Sequence, residues 1–316
     1  MNTSLAPIVL FVYDRPDHAK RVVEGLLQNP EAKDSILYVF ADGPKDTASE
    51  AARKRIADTR DYIQTITGFK EVIIEASEKN KGLAASIIGG CTKILSLHGR
   101  IIVMEDDIVA CPYYLNYMNT GLEKYKDDEK IWSLSGFTDT SVMIPHGDED
   151  AYCINRFSCW GYATWKRCWD KAIWDIPTLQ EMFKDKQLQA DFDAWGGNDL
   201  SKMMLGLFAG SNGSWAIRYT FSSFLNKTFN IHTRESLVQN IGCDGSGTHS
   251  GKETFHIQMM DHKVVFPETI EFDPIRNEQM CKSHHRIPTT LKGKIGYVVK
   301  KSARLHRLCR KWGLCK

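Results

Sequence analysis

The sequence predicts an α/β fold built, over its first hundred residues, from β-α-β units. Three observations predict it. Short apolar runs, partly β-branched, recur along this stretch, each the length of one buried strand. Amphipathic segments of helical period lie between them. Turn-forming residues separate the two kinds of segment, so strands and helices alternate.

The elements follow in order. Ile8-Val9-Leu10-Phe11-Val12-Tyr13 reads as a buried strand, and Asp14-Arg15-Pro16-Asp17 leads into a helix through Leu27 with Asp17 as its expected N-cap. Ile36-Leu37-Tyr38-Val39-Phe40 is a second buried strand, closed by the turn Asp42-Gly43-Pro44. From about Thr47 to Ile66 the residues Ala52, Ile56, Tyr62, Ile63 and Ile66 line up as one apolar helical face. Val72-Ile73-Ile74 is a third strand, Lys81-Gly82 opens a helix through about Leu97, and Ile101-Ile102-Val103-Met104 is a fourth strand. This is a nucleotide-binding type of α/β half, with its loops at the carboxyl ends of the strands.

After Asp107 the alternation breaks down. A helix is expected over Pro112–Tyr125, a strand over Ile131–Ser135, a polar loop over 138–151 and a glycine-rich segment over 242–251. The chain shows no internal repeat, low-complexity stretch or clear linker. We therefore expect one domain of two lobes, residues 1–107 and 108–290, followed by a basic tail over 291–316.

Composition narrows the class. Of 316 residues, 42% are hydrophobic and 25% charged, which suits a globular protein rather than a disordered one. No apolar run approaches the roughly 18 to 20 residues that span a bilayer, and Met1–Pro7 lacks the pattern of a secretory signal. The nine cysteines are scattered, with no Cys-x-x-Cys pair and no zinc-like Cys/His spacing. Free thiols in a reducing, cytoplasmic compartment are the expectation. The net charge of +2 hides an asymmetry: residues 291–316 carry nine Lys/Arg and no acid, leaving 32 basic against 39 acidic side chains elsewhere.

The most informative stretch is Ile101 to Asp107, an apolar strand that ends abruptly in Glu105-Asp106-Asp107. Adjacent carboxylates repel unless a cation sits among them. Magnesium and manganese take oxygen ligands, usually one or two carboxylates plus phosphates and water. A metal–diphosphate site at the mouth of the sheet fits both facts. A solvated strand end whose acids cap the next segment is the plainer reading of the three acids alone.

The ordered set Tyr13-Asp14-Arg15-Pro16, Asp42-Gly43, Lys81-Gly82-Leu83 and Glu105-Asp106-Asp107 resembles the GT-A glycosyltransferases, and within them the relatives of Golgi N-acetylglucosaminyltransferase I, here as a bacterial relative. The likeness covers residues 6 to 135 well and 156 to 255 more loosely. It implies the GT-A fold, a Rossmann-like nucleotide-diphospho-sugar transferase architecture with a mixed central sheet. It further implies Asp107 as the direct ligand of Mn2+ or Mg2+, with Glu105 and Asp106 near the ribose, base or second shell. Arg15 matches an arginine that meets the nucleotide, beside Tyr13, and its planar fork suits phosphate or ribose oxygens. Asp42 matches an acid that holds the nucleobase, although Asp42-Gly43 is also a plain turn pair. Lys81 is placed to reach a phosphate at a helix N-terminus.

Sugar transfer with inversion also needs a carboxylate that deprotonates the acceptor hydroxyl. Candidates lie in Asp191, Asp193 and Asp199. In the resembling family an acidic pair precedes a short helix, a glycine and an "ACI"-like strand; Asn198-Asp199 and Ser214-Trp215-Ala216-Ile217 follow that order. This favours Asp199, with Asp193 as runner-up and helix capping as the structural alternative for Asp199. Trp160, Trp165, Trp169 and Trp174 recur at a spacing that favours the buried face of one helix. Trp160-Gly161 is set apart because the family has a Gly-Trp-like stretch near donor sugar and acceptor, where Gly161 would permit close backbone approach. The segment Asn240 to Gly251 lacks a P-loop ending. It resembles the loop that closes over the donor in these enzymes, with His249 directed at diphosphate or metal.

The tail interleaves cations such as Lys300, Arg304 and Arg307 with Val298, Leu305 and Trp312, the pattern of a basic amphipathic helix suited to an anionic membrane surface. The acidic body argues against nucleic acid. The expected function is a metal-dependent inverting hexosyl- or N-acetylhexosaminyl-transferase, using a nucleoside diphosphate sugar, foremost a UDP-sugar, and a glycan or lipid-linked acceptor, at the inner face of the plasma membrane if the tail binds there. A sugar nucleotidyltransferase, or a non-catalytic binding protein of the same fold, is the alternative.

Overall fold

The computed structural model describes residues 5–140, 149–244 and 257–283. The expected basic tail and His249 lie outside them. The N-terminal half contains β1 (Ile8–Val12), α1 (Pro16–Leu27), β2 (Ile36–Ala41), α2 (Glu50–Ile63), β3 (Glu71–Ala76), α3 (Leu83–His98) and β4 (Arg100–Glu105). Then come β5 (Ile108–Ala110), α4 (Tyr114–Lys124), β6 (Ile131–Ser135), β7 (Ala151–Ile154), β8 (Tyr162–Trp165) and the short α5 (Lys166–Trp169). Helices α6 (Ile176–Met182), α7 (Lys186–Gly196), α8 (Leu200–Phe208) and α9 (Ala216–Leu225) precede β9 (Phe229–Thr233), β10 (Val238–Asn240) and α10 (Pro274–Ser283).

An eight-stranded sheet in the order β3-β2-β1-β4-β8-β6-β9-β7 forms the centre. β3, β2, β1 and β4 run parallel, β8 is antiparallel to both β4 and β6, β9 is parallel to β6, and β7 is antiparallel to β9. The fold is thus α/β with a mixed central sheet, as predicted. The two expected lobes share this one sheet, because β4 and β8 are hydrogen-bonded neighbours. A two-stranded ribbon, β5 with β10, stands apart from it.

Local chemistry explains the boundaries. Every residue of β1 is buried, as a central parallel strand covered on both faces requires. Helix α1 starts at Pro16, whose fixed φ suits the first helical turn. The N-cap position therefore falls on Arg15, and Asp17 sits inside the first turn rather than capping it as expected. Ser49 caps α2, its Oγ accepting the Ala52 N–H at 3.2 Å, which trims the helix expected from Thr47. Helix α3 ends at Gly99, which adopts a left-handed φ of 74° and donates its N–H to the Leu95 carbonyl.

Two expectations are corrected. The tryptophans do not share a helix: Trp160 lies in a loop, Trp165 in β8, Trp169 in α5 and Trp174 in the next loop. They meet in space instead, Trp169 lying 4.5 Å from Trp174 and 5.2 Å from Tyr219 by ring centroids. Alternation in a strand and tertiary packing can imitate a helical spacing. Residues Ser214 to Ile217 are no strand either. Ser214 Oγ accepts the Ile217 N–H at 3.3 Å, α9 begins at Ala216, and Ile217 is buried in a second, smaller core with Leu179, Phe192, Leu200, Met204 and Phe221. Apolar runs of this length do not discriminate strand from helix by themselves.

Candidate active site

The chain places β2 and β3 on one side of β1 and then crosses to lay β4 on the other. In open α/β sheets such a reversal leaves a crevice outside the carboxyl ends of the flanking strands, where ligands bind. β1 and β4 pair in parallel with Phe11 opposite Glu105. The residues that follow, Tyr13 to Arg15 and Asp106 to Asp107, therefore leave the sheet side by side at that crevice.

There they form one charged cluster. The Arg15 guanidinium pairs with Asp106 and lies 3.0 Å from Asp107 Oδ2 through the same nitrogen, Nη2. The Tyr13 backbone N–H donates to Asp106 Oδ2 at 3.3 Å. Burial, reinforced by Asp107, pushes the Asp106 carboxyl up to about 6 against the pull of Arg15. Glu105 is driven further, up to about 8, by burial first and then by its two acidic neighbours. One guanidinium does not neutralise this corner. Its own pKa lies above the usual range, because the two aspartates outweigh its burial.

Two further features fit a metal-bound diphosphate here. Arg15 Nη1 is buried and, among the described residues, has no hydrogen-bond partner, leaving a cationic donor for an anionic oxygen. Gly242 lies against the cluster: a Cβ there would collide with Asp107 Oδ2 and stand 3.0 Å from Arg15 Nη1. The backbone reaches this position because Ile241 N–H donates to the Asp107 carbonyl at 2.8 Å and Asn240 Oδ1 accepts the Gly242 N–H at 2.7 Å. Among the described residues no three His, Cys, Asp or Glu side chains gather as a ready metal cage. One or two carboxylates completed by phosphate and water match the habit of magnesium and, with hard oxygen donors, of manganese.

Asp42 is buried and organises a neighbouring loop. Its Oδ1 accepts the N–H groups of Gly43 and Lys81 at 2.8 and 2.9 Å, and its Oδ2 those of Gly82 and Asn80 Nδ2 at 2.9 and 3.1 Å. These four bonds engage the carboxylate in the turn that starts α3, the role Asp42-Gly43 suggested as a turn pair. Beside it opens a cleft of about 300 Å³, lined among others by Phe40, Asp42, Ser77, Lys81, Ser86 and Gly89. A Cβ on Gly89 would meet nothing within 4 Å, whereas one on Gly90 would strike Phe11, so the paired glycines open one side and pack the other. Lys81 thus faces a cleft at the N-terminal end of α3, a favourable place for anions.

The remaining sequence-predicted residues have partners of their own. Trp160 packs edge-on against Phe137, 4.4 Å between ring centroids. Gly161 has a left-handed φ of 61°, and its Cβ direction points inward at Val238, Tyr114 Oη and Ile108. Conformation and packing both call for glycine there. Asp199 is held by Arg156 in a two-pronged pair of 2.8 and 2.7 Å. Asp193 Oδ1 accepts the Ser201 N–H at 2.8 Å and so supports the first turn of α8. The charges of Glu105, Asp107 and Arg156 all act on the Cys159 thiol, which burial keeps firmly protonated.

Sequence reasoning missed Asn80, Arg156 and His232, and named Asn240 and Gly242 only within a loop expected to close over the donor. Asn80-Lys81-Gly82 and Asn240-Ile241-Gly242 carry Asn–Gly turn signals that mark a bend without saying what it touches. His232 is 1% exposed and lies between two loops, Nδ1 3.3 Å from the Phe137 carbonyl and Nε2 2.9 Å from that of Arg156. It ties together the loops that carry Trp160's partner and Asp199's partner.

No family model and no curated protein matches this chain. Among solved structures it is similar to "Mannosyltransferase PcManGT from Pyrobaculum calidifontis in complex with GDP-Man and Mn2+", at 9% identity and a TM-score of 0.34, over 52% of this chain and 46% of that one. It is also similar to S. aureus TarS, at 9% identity and a TM-score of 0.38, over 73% of this chain and 36% of that one. The chain therefore spans less than half the length of either structure. Likenesses this distant carry no functional argument, which rests on the chemistry of the site.

Proposed function

We propose that the protein is a metal-dependent glycosyltransferase of the GT-A type that takes its sugar from a nucleoside diphosphate donor. The observation that carries this reading is the convergence of Arg15, Asp106 and Asp107 at the strand-order reversal between β1 and β4. A crevice at that point suits a nucleotide, and an under-neutralised acidic corner suits a divalent cation.

In this reading Asp107 holds Mn2+ or Mg2+, which when bound supplies positive charge to the departing diphosphate. Arg15 offers its buried Nη1 to a phosphate oxygen. The cleft beside Asp42 and Lys81 takes the nucleoside, with Asp42 shaping the loop rather than touching the base. Glu105 and Asp106 lie toward the ribose. The segment from Asn240 onward, resembling a closing loop with His249, covers the donor and excludes water.

On the acceptor side, we assign Asp199 as the base of an inverting transfer of a hexosyl or N-acetylhexosaminyl group, its carboxylate oriented by Arg156. Asp193 is the second candidate, although the Ser201 N–H engages one of its oxygens. Trp160 lies toward the sugars. A UDP-sugar is the preferred donor and a glycan or lipid-linked glycan the acceptor. The basic tail brings the enzyme to the anionic inner face of the plasma membrane. No helix among the described residues is long and apolar enough to cross a membrane.

Incubation with a panel of nucleoside diphosphate sugars, with and without manganese, tests the reading. Metal-dependent release of nucleoside diphosphate is the expected outcome. Release of pyrophosphate from a sugar phosphate and a nucleoside triphosphate would make the protein a nucleotidyltransferase. Binding without turnover on any donor and acceptor would make it a binding protein.

A further inference from the structure

We infer that Arg15 is a built-in counter-cation for Asp107, which a metal ion displaces only when an anionic diphosphate arrives to receive the freed guanidinium. This rests on the assignment of Asp107 as the metal ligand and adds a coupling mechanism to it.

The geometry carries the inference in three steps. A single nitrogen, Nη2, serves both Asp106 and Asp107, so Arg15 holds one of the two Asp107 oxygens, Oδ2, that a cation could use. A divalent ion on Asp107, at the short distances such ions require, would lie within a few ångströms of the guanidinium, and like charges at that range repel strongly. Metal binding by itself therefore has to displace Arg15 from Asp107 and leave it with Asp106 alone. The second step concerns where Arg15 can go. Nη1 is already buried without a hydrogen-bond partner among the described residues, and Gly242, which has no side chain to fill the space, lies beside it. A diphosphate oxygen is the acceptor this donor lacks, and the guanidinium fork binds such oxygens in pairs. The third step is linkage. If the diphosphate removes Arg15 from Asp107, it strengthens metal binding, and the metal must strengthen diphosphate binding by the same factor.

The arrangement restrains the site from loading metal alone and makes the metal–diphosphate pair the species that binds. It also explains how the acidic corner is held together before the ion enters, since Asp106 is only 4% exposed and needs a compensating charge.

The test measures manganese binding to the full chain by electron paramagnetic resonance of the free ion. It is run with and without inorganic pyrophosphate, corrected for manganese bound by pyrophosphate in solution. Wild type is expected to bind manganese weakly alone and on the order of tenfold or more tightly with pyrophosphate, within the usual range of coupling between sites. Arg15→Gln should bind manganese alone about tenfold more tightly than wild type, with the pyrophosphate effect collapsed toward unity. Arg15→Lys, which keeps a charge on a shorter side chain without the guanidinium's paired nitrogens, should fall between them and carries the test if the glutamine variant does not fold. Asp107→Asn should abolish binding and leave the free-ion signal undiminished. Folded Arg15→Gln or Arg15→Lys variants that bind manganese alone no more tightly than wild type would overturn the inference, as would a wild type whose manganese affinity ignores pyrophosphate. If the coupling appears but no nucleotide-sugar is turned over, the functional assignment fails and the role of Arg15 stands. If metal-dependent transfer is found without the coupling, the reverse holds.

Discussion

The two halves of the central sheet are built on different terms. Strands β3, β2, β1 and β4 are parallel, connected by helices, and end together at one crevice. Strands β8, β6, β9 and β7 mix directions, and between β8 and β9 the chain inserts four helices, α6 to α9, that bury their own core around Phe192 and Phe221. In the parallel half each functional residue sits just past the end of a strand, so chain order fixes its place. In the other half, functional candidates hang on contacts between distant segments, such as Arg156 with Asp199 and His232 with the Phe137 and Arg156 carbonyls. The parallel half is a preformed platform; the mixed half is a set of loops braced against one another.

That contrast can be broken experimentally. The largest effect should follow from Asp107→Asn, in the parallel half. We expect manganese-dependent thermal stabilisation by a nucleoside diphosphate to vanish and turnover to fall roughly a hundredfold or more, with circular dichroism unchanged. Asp199→Asn, in the mixed half, should lower turnover by about a hundredfold while donor binding stays near wild type, as read by separate calorimetric and kinetic titrations. Full activity in that variant would move the base elsewhere.

Gly242→Ala probes the seam where the later chain touches the parallel half. Its Cβ would push on Asp107 and approach Arg15. Manganese affinity in the presence of pyrophosphate should fall about tenfold, as when a partner that positions a ligand is lost, while the melting temperature changes little. Asp42→Ala should do the opposite. Removing an acceptor of four hydrogen bonds is expected to cost roughly 3 kcal/mol of stability in denaturant titration. Donor affinity should drop only as far as the loop at Asn80 to Gly82 loosens.

The smallest effect is a pH dependence. Burial holds His232 below its ordinary value, against the pull of two carbonyls that favour its charged form. Its contribution to stability is therefore complete above the unfolded value of about 6.5 and is lost as pH falls through the lower folded value. Melting temperatures taken from pH 7 down to pH 5 should drop a few degrees more in wild type than in His232→Gln. Parallel curves would remove His232 as the acid-sensitive brace.

Legibility in the sequence followed the same division. The runs at Ile8, Ile36, Val72 and Ile101 matched strands within two residues of the observed ends. For the three inner strands burial on both faces demands an apolar run, while β3 is an edge strand only partly buried. Pro16 and Gly99 set helix ends through their backbone chemistry, where the sequence pattern points to Asp17 as the cap and about Leu97 as the end. The tryptophan spacing and Ser214 to Ile217 misled, since short apolar patterns serve helix and strand alike and packing decides between them.

What the sequence determined by itself was local: which segments are strands, and that three acids close one of them. It also marked glycine and asparagine bends, each dictated by backbone sterics or burial along a few residues. Tertiary structure alone decided the partners. That Arg15 bridges Asp106 and Asp107 follows from the crossing of β4 to the far side of β1. The engagement of Asp42 by the loop at Asn80 and the return of Gly242 from more than a hundred residues away to lie on Asp107 are further contacts between segments distant in the chain. Charge and hydrogen-bond pairing act through space, and no spacing along the chain encodes which buried carboxylate a distant guanidinium will reach.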